Sequence, residues 1–461
     1  MLTFQDLAQV GESDNERMDF VRMVINQHKS SPVYREYLIA NDYYNHRNTT
    51  IVNFQKVLYT VTGKAVPDNY SANFKMASKF FYRFVTQQNQ YLLGNGVTWN
   101  DTNTADKLGN AKYSFDNQLQ KLGKEALKGG VAFGFWDVDH VMVFNVGNFA
   151  PLYDEENGAL RAGVRFWQVA SNKPLRATLY EEDGYTEYIW NKREQSDHTT
   201  KEVSEVMQPK RAYKLNVAVS TADGEEILDG ENYPSFPIVP LFANDAHQSE
   251  LTGLREQIDC YDLIKSGFAN TVDEASLIYW TLQNAGGMDD VDLAQFVERI
   301  RTLHASTTDD GVTAEPHTLE PPYESREALL DRLRADLYED AMALDTKALA
   351  SGGSVVTAVI KSAYEPLDDK CDDYEYFITD FINRILEFAN VDDAPTFTRS
   401  KIINATEDIQ TIVMSAQYLP QDYVTTKILT ILGDADKTEE ILAQMDIEDI
   451  NRFNDDEGNE E

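Results

Sequence analysis

Residues 254–276 read LREQIDCYDLIKSGFANTVDEAS. In this stretch and its flanks, apolar side chains step by three or four, at Leu251, Leu254, Ile258, Tyr261, Ile264, Phe268, Val272, Ala275 and Tyr279. That spacing matches the helical period and predicts one amphipathic helix over Ser249–Tyr279. Towards the C terminus the pattern returns at Leu330, Leu333, Leu337, Ala341, Leu344 and Ala348. After Ser351-Gly352-Gly353-Ser354 it runs a third time through Val356, Val359, Ala363, Leu367, Cys371, Tyr374, Ile378, Phe381, Ile385 and Phe388. Between the first two helices lies a compact insert. It reads as a strand at Tyr279–Gln283, a turn at Gly286-Gly287, a short helix at Val291–Thr302, a strand within Gly311–Leu319, and a stop at Pro321-Pro322. Ser325 is placed to cap the second helix. At 1.5 Å per residue the first two helices would reach roughly 45 and 36 Å. Two antiparallel rods joined by a small insert suggest a function carried by shape.

Towards the N terminus, residues 16–60 read as helical and aromatic-rich. Residues 71–93 predict an amphipathic helix with Phe74, Ala77, Phe81, Val85, Gln88 and Leu92 on one side, ending in the turn Leu93-Gly94-Asn95-Gly96-Val97. Gly94 and Gly96 do not make a phosphate loop, which needs a preceding strand and a following Lys-Ser/Thr. A short helix is expected at 115–128. Then alternating runs at Val131–Phe135, Val141–Val146, Gly163–Val169, Ala177–Glu181, Thr186–Trp190 and Ala212–Val219 predict a β meander. Its turns are expected at Glu156-Asn157-Gly158, Asp183-Gly184 and Asp223-Gly224. The proline-spaced Tyr233–Pro240 reads as an extended hinge. At the other end, 406–445 predicts two or three short helices before an acidic tail from Asp446. The fold class is α+β.

The 461 residues carry 42% hydrophobic and 11% aromatic side chains, enough for a folded core. The net charge of −36 lacks the basic footprint of a sequence-reading DNA binder. It is unevenly spread. Residues 1–100 hold ten Lys/Arg against eight Asp/Glu, whereas 364–461 hold twenty-five acids against seven bases. Cys260 and Cys371 are too few for a disulfide framework, and both lie on or beside an apolar stripe, which predicts packing rather than reactivity. No basic-then-apolar N-terminal pattern marks a secretion signal, and no apolar run reaches the ~18 residues of a membrane span.

Chemical signatures are missing from the sequence. It has no Gly-x-Ser-x-Gly, no His-Glu-x-x-His, no Cys-x-x-Cys and no Walker lysine motif. Its seven histidines have no ligand spacing, and no cofactor is expected. Asp137-Val-Asp139 is expected in a strand, with both acids on one face. These readings leave two alternatives beside a shape-based role: a cytosolic metal-dependent hydrolase built on Asp137 and Asp139, and an acidic scaffold acting through 446–461.

Four stretches, in their order and spacing, carry a resemblance. They are HKSSPVYREYLIANDYYNHRNTTI (His28–Ile51), NYSANFKMASKFFYRFVTQQNQYLLGNGVTW (Asn69–Trp99), LREQIDCYDLIKSGFANTVDEAS (Leu254–Ser276) and ASGGSVVTAVIKSAYEPLDDKC (Ala350–Cys371). Together the chain resembles a portal protein of tailed bacteriophages, of the siphophage type, over about residues 16–445. The resemblance implies a portal fold, with another phage head structural protein as the alternative that shares the acidity and the lack of chemical motifs. Its parts would be a mixed α/β wing (1–245), a first stem helix (246–281), a small α/β clip (282–322), a second, antiparallel stem helix (323–345), a tunnel loop (346–356), a long wing helix and linker (357–402), and a helical crown with the acidic tail (403–461). It implies a homo-oligomeric ring, usually a dodecamer, at one vertex of the virion capsid and assembled in the host bacterial cytoplasm. Double-stranded DNA would pass through it non-specifically during packaging and ejection. The implied partners are the terminase large subunit, a head–tail adaptor, and the major capsid and scaffolding proteins, with no membrane and no catalysis. Stem packing would fall to Leu254, Ile258, Tyr261, Phe268, Leu330, Leu333 and Leu337, and clip docking to Asp289, Asp290, Glu298, Arg299 and Arg301. The tunnel loop would present Thr346, Lys347, Ser351, Gly352, Gly353 and Ser354. An acidic channel wall would include Asp368, Asp369, Asp372, Asp373 and Glu375.

Overall fold

The computed structural model describes residues 2–11, 13–59, 63–68, 73–194, 200–220, 226–275, 279–283, 291–292, 295, 298, 313–317, 323–347, 357–399, 405–432, 438 and 441–445. The chain opens with α1 (Phe4–Ala8), α2 (Asp14–Ser30), α3 (Pro32–Tyr44), α4 (Thr49–Asn53) and a hairpin, β1 (Val57–Tyr59) with β2 (Ala65–Pro67). Ser31 ends α2 and caps α3, whose Tyr34 amide it binds. Pro32 at the first position of α3 fixes the break, because it has no N–H to lose there. Next come α5 (Phe80–Leu93), β3 (Val97–Thr98), α6 (Thr104–Lys107) and α7 (Phe115–Gly129).

The β-rich part holds β4 (Val131–Asp137), β5 (His140–Asn145), β6 (Phe149–Tyr153), β7 (Leu160–Trp167), β8 (Leu175–Glu181), β9 (Gly184–Glu194), β10 (Thr200–Arg211), β11 (Lys214–Ser220), β12 (Glu226–Glu231) and β13 (Ile238–Phe242). They form an antiparallel sheet β10-β9-β8-β7-β6, a second sheet β13-β4-β5 and the pair β11-β12. The C-terminal half has α8 (Arg255–Ala275), β14 (Tyr279–Gln283), β15 (Thr313–His317), α9 (Tyr323–Asp340), α10 (Thr357–Ala389), β16 (Thr396–Phe397), α11 (Ala405–Ser415) and α12 (Gln421–Leu432).

Two cores stack these elements in layers. On β4, Ala132, Gly134 and Trp136 alternate with Phe133 and Phe135. Gly134 lies under the Phe381 ring of α10, while Phe133 meets Phe149 and Phe135 meets Phe144 and Tyr180. Helices therefore cover one face of the smaller sheet, and the larger sheet covers the other. The far face of the larger sheet, with Leu152, Val164, Leu179 and Trp190, is sealed by Val21, Val24 and Ile25 of α2. Helix α10 comes close enough to need glycine on β4, where a Cβ at Gly134 would stand 2.5 Å from Phe381 Cζ. A Cβ at Gly123 of α7 would stand 2.3 Å from Asn89 Oδ1 of α5 and 3.0 Å from the Tyr374 hydroxyl of α10.

The structure corrects several expectations. The helix expected over 71–93 begins only at Phe80, and Phe74 is exposed. Residues 73–79 are non-helical, with alternate amides, those of Phe74, Met76 and Ser78, taken by side chains of α8. The proline-spaced segment does not stay a hinge: its end becomes strand β13. Pro240 is tolerated there because β13 is an edge. Strands β6, β10 and β12 were not among the expected runs. The alternation of β10 is masked by the charges that protect an edge strand. Asp137 closes β4, but Asp139 lies in the β4–β5 turn, so the two acids do not share a strand face. Cys371 is buried as expected, its thiol pushed up to about 12 by burial, whereas Cys260 is exposed.

Candidate functional site

Helices α8 and α9 run antiparallel. Phe268 meets Tyr323 edge-on at 5.6 Å and Arg326 Nη1 donates to Thr271 Oγ1 at 2.9 Å, while at the other end Gln257 Nε2 donates to Asp340. The pair brackets β14 and β15, which are in register from Tyr279↔His317 to Gln283↔Thr313. Both helices are shorter than their apolar patterns suggested. Helix α9 ends at Asp340 because Met342 turns left-handed (φ 52) and its neighbour closes a Schellman bond, Ala343 N to Tyr338 O, at 2.9 Å.

The expected packing residues divide. Leu254, Ile258 and Leu337 are buried in the main core. Tyr261, Phe268, Leu330 and Leu333 are half-buried, and Val272 is exposed. Beyond Tyr261 the buried positions of α8 among the described residues are polar: Asp262, Ser266 and Asn270. These three hold the extended segment 73–78 as a neighbouring strand would. Ser78 N donates to Asp262 Oδ1 at 2.9 Å, Met76 N to Ser266 Oγ at 3.0 Å and Phe74 N to Asn270 Oδ1 at 2.7 Å. The match is geometric. Four residues of helix rise about 6 Å, close to the roughly 6.6 Å of two extended residues. Asn48 Nδ2 donates to the second Asp262 oxygen. Burial pushes the Asp262 carboxyl up, and the hydrogen bonds from Asn48 and Ser78 oppose that shift. Sequence reading followed the apolar stripe and passed over this ladder, although its i, i+4, i+8 spacing was visible.

The segment after α9 is pinned on three sides. Lys370 Nζ, paired with Glu250 at 2.6 Å, donates to Ala341 O at 3.0 Å. The Gln87 amide brackets Leu344, donating to its carbonyl at 3.1 Å and accepting from its N–H at 3.2 Å. Arg334 pairs with Asp345 at 2.6 Å. Thr346 and Lys347 follow, both exposed, and the Lys347 ammonium lies 3.8 Å from Asp331. Ser351, Gly352, Gly353 and Ser354 lie outside the described residues. So do Asp289, Asp290, Arg299 and Arg301, and the tail 446–461. Glu298 is in a helical position.

Of the five acids singled out on α10, Asp369, Asp372 and Asp373 are exposed and Asp368 and Glu375 half-buried. Three converge on one cation. Arg399, reaching back from the strand β16, lies 2.6 Å from Asp372, 2.5 Å from Glu375 and 3.8 Å from Asp368, which also accepts from Tyr91 Oη at 2.6 Å. Arg399 had no local sequence signal, since its partners are twenty-four or more residues away. Asp139 accepts from the adjacent His140 at 2.7 Å and from Asn110, which is turn chemistry. Among the described residues, no cluster of three or more His, Cys, Asp or Glu side chains could hold a metal, and no helix is long and apolar enough to cross a membrane.

A helical pair around a two-stranded insert, a pinned junction and a long helix on a layered body set the architecture to be matched. The model of a phage portal protein family, SPP1 Gp6-like, matches residues 25–449. The chain belongs to this family. It is a structural family, not an enzymatic one, which removes the hydrolase reading. The portal protein of Bacillus phage SPP1 is 24% identical, over 85% of this chain and 79% of that one. The portal protein of Clostridium phage phiCD119 is 30% identical over 42% of this chain, a match that spans 46% of that relative's length. Among solved structures, a chain in the neck of a native GTA particle, computed with C12 symmetry, has a TM-score of 0.42 at 10% identity. It covers 76% of this chain and 90% of that one.

Proposed function

We propose that this chain is the subunit of a ring at one capsid vertex of a tailed phage, through whose channel DNA enters and leaves the head. The observation that carries the reading is the antiparallel α8–α9 pair around β14–β15, inside a family match that runs from residue 25 to 449. In this reading 246–281 and 323–345 form the stem, and 282–322 the clip that meets the terminase motor and later the head–tail adaptor. Residues 346–356 form the tunnel loop, 403–461 the crown and tail, and the rest the wing. Twelve copies would close the ring.

The physics fits passage rather than binding. A duplex carries about one negative charge per 1.7 Å, so a basic channel would hold it. Acids such as Asp369 and Asp373, repeated around a ring, repel the backbone within a Debye length of about 8 Å at physiological salt. Asp368, Asp372 and Glu375 are partly neutralised by Arg399, so the repulsive wall rests chiefly on their exposed neighbours. The pinned residues 341–345 would fix one foot of the tunnel loop. Gly352 and Gly353 would supply its motion, and Lys347 a transient phosphate contact.

The test is a paired replacement, Gly352→Ala with Gly353→Ala, in the phage. Rings should assemble and capsids form, but heads should stay largely empty of DNA. Normal head filling would contradict the moving loop.

A further inference from the structure

We propose that the side of α8 covered by residues 73–78 docks, together with the β1–β2 hairpin, against the outward face of α9 in a second copy of this chain. The proposal rests on the ring reading and adds which two surfaces meet.

Helix α8 is sandwiched. At about 100° per residue, Asp262, Ser266 and Asn270 share one face, and Gln257, Tyr261, Phe268 and Thr271 share the opposite one. The first set holds 73–78, and members of the second touch α9. The strap and α9 therefore lie on opposite sides of one helix.

The strap side is unusually apolar for a surface. Val52 is 46% exposed, Phe54 41%, Val57 51%, Phe74 52% and Tyr59 74%. The bond from Lys75 Nζ to Val52 O, at 2.6 Å, holds the strap beside α4, from which the chain runs within three residues into β1. A hairpin of three-residue strands has no core of its own, and such a patch marks a contact site. It is also basic. Residues 45–79 carry Arg47, Lys56, Lys64, Lys75 and Lys79 against Asp68 alone, in a chain of net charge −36.

The side of α9 turned away from α8 has the complementary character. Glu324, Ala328, Asp331, Ala335 and Glu339 are exposed there, with Leu329 exposed at its edge and Arg332 the base among them, itself paired to Asp336 at 3.5 Å. Leu329 offers apolar surface and the two alanines a shallow floor. A basic apolar face and an acidic face on opposite sides of one helical pair make a heterologous contact, which repeats head to tail and closes only at a fixed rotation. That favours another copy of this chain as the occupant over a DNA phosphate or an unrelated protein.

The experiment is site-directed cross-linking of assembled protein. In a Cys260→Ser background, with Cys371 buried, Phe74→Cys is combined with Leu329→Cys, and separately Tyr59→Cys with Leu329→Cys. All four positions are at the surface, so the fold should tolerate them. Imaged rings treated with a short bismaleimide should give a ladder of covalent multimers up to the ring size, holding most of the chains. Met23→Cys with Leu329→Cys, using an exposed residue of α2, should give none. Rings that form but cross-link through neither pair would overturn the docking proposal and leave the ring reading standing. Protein that stays monomeric at every concentration would overturn both.

Discussion

Helices α8 and α10 carry similar apolar stripes in the sequence, yet the structure treats them differently. In α10 the stripe is consumed within the chain. Leu367, Cys371, Tyr374, Ile378, Phe381 and Ile385 are all buried against α5, α7 and β4. In α8 burial of the stripe stops at Ile258. From Asp262 onward the buried side is a polar ladder gripping a strap, and the apolar side, Ile264 and Phe268, stays half open. A stripe filled by its own chain builds the body. A stripe only half covered, by α9 of the same chain, beside a polar grip on an exposed strap builds an element held outside that core.

The sharpest way to break this contrast is to empty the α10 core. Phe381→Ala should cost about 3–5 kcal/mol of folding stability, as large aromatic truncations in a packed core do, read by denaturant unfolding. Loss of less than ~1 kcal/mol would mean that α10 is not a core helix. Next comes the grip. Asp262→Ala leaves the Ser78 N–H and the Asn48 amide without their carboxylate, and should cost about 1–3 kcal/mol. Hydrogen exchange should then speed at Phe74, Met76 and Ser78 while the β4 amides stay protected. Equal speeding in both places would remove the ladder's local role. Third is Ala335→Arg, on the exposed face of α9 turned away from α8. It should shift unfolding of the monomer by under ~1 kcal/mol, yet abolish ring assembly on a sizing column. Intact rings would contradict the stem assignment.

The smallest expected effect is one of pH. His28 is buried between α2 and the larger sheet. Its Nε2 lies 2.7 Å from Val146 O, and its Nδ1 has no partner among the described residues. Burial holds the imidazole below its ordinary value; the Val146 contact opposes that and Lys29 adds to it. A depressed value means stability that is present above the unfolded pKa of about 6.5 and lost as the pH falls through the folded value. The α2–sheet core should therefore loosen on acidification from about pH 6.5, and His28→Phe should flatten that dependence. An unchanged slope in the variant would exclude His28.

Much of this was legible from local pattern. The stripe of α10 placed a helix that the structure gives as Thr357–Ala389, and the insert strand was read at Tyr279–Gln283, where β14 lies. The failures share a cause, which is that distant groups decide them. Residues 73–79 look helical alone, but α8 takes every second amide from Phe74 to Ser78. The C-terminal end of α9 is set by a left-handed methionine that no motif announces. Arg399 finds its acids only after the chain returns through β16. The polar ladder was readable in principle, since three small or acidic polar residues at i, i+4 and i+8 do not fit a purely apolar helix face.

The central claim, that these half-open helices belong to a closed ring, is tested most directly by the solution mass of the purified full-length protein, with negative-stain images of the same fraction. The account predicts particles of about twelve subunits with a central hole. A compact dimer or tetramer without a hole would contradict it.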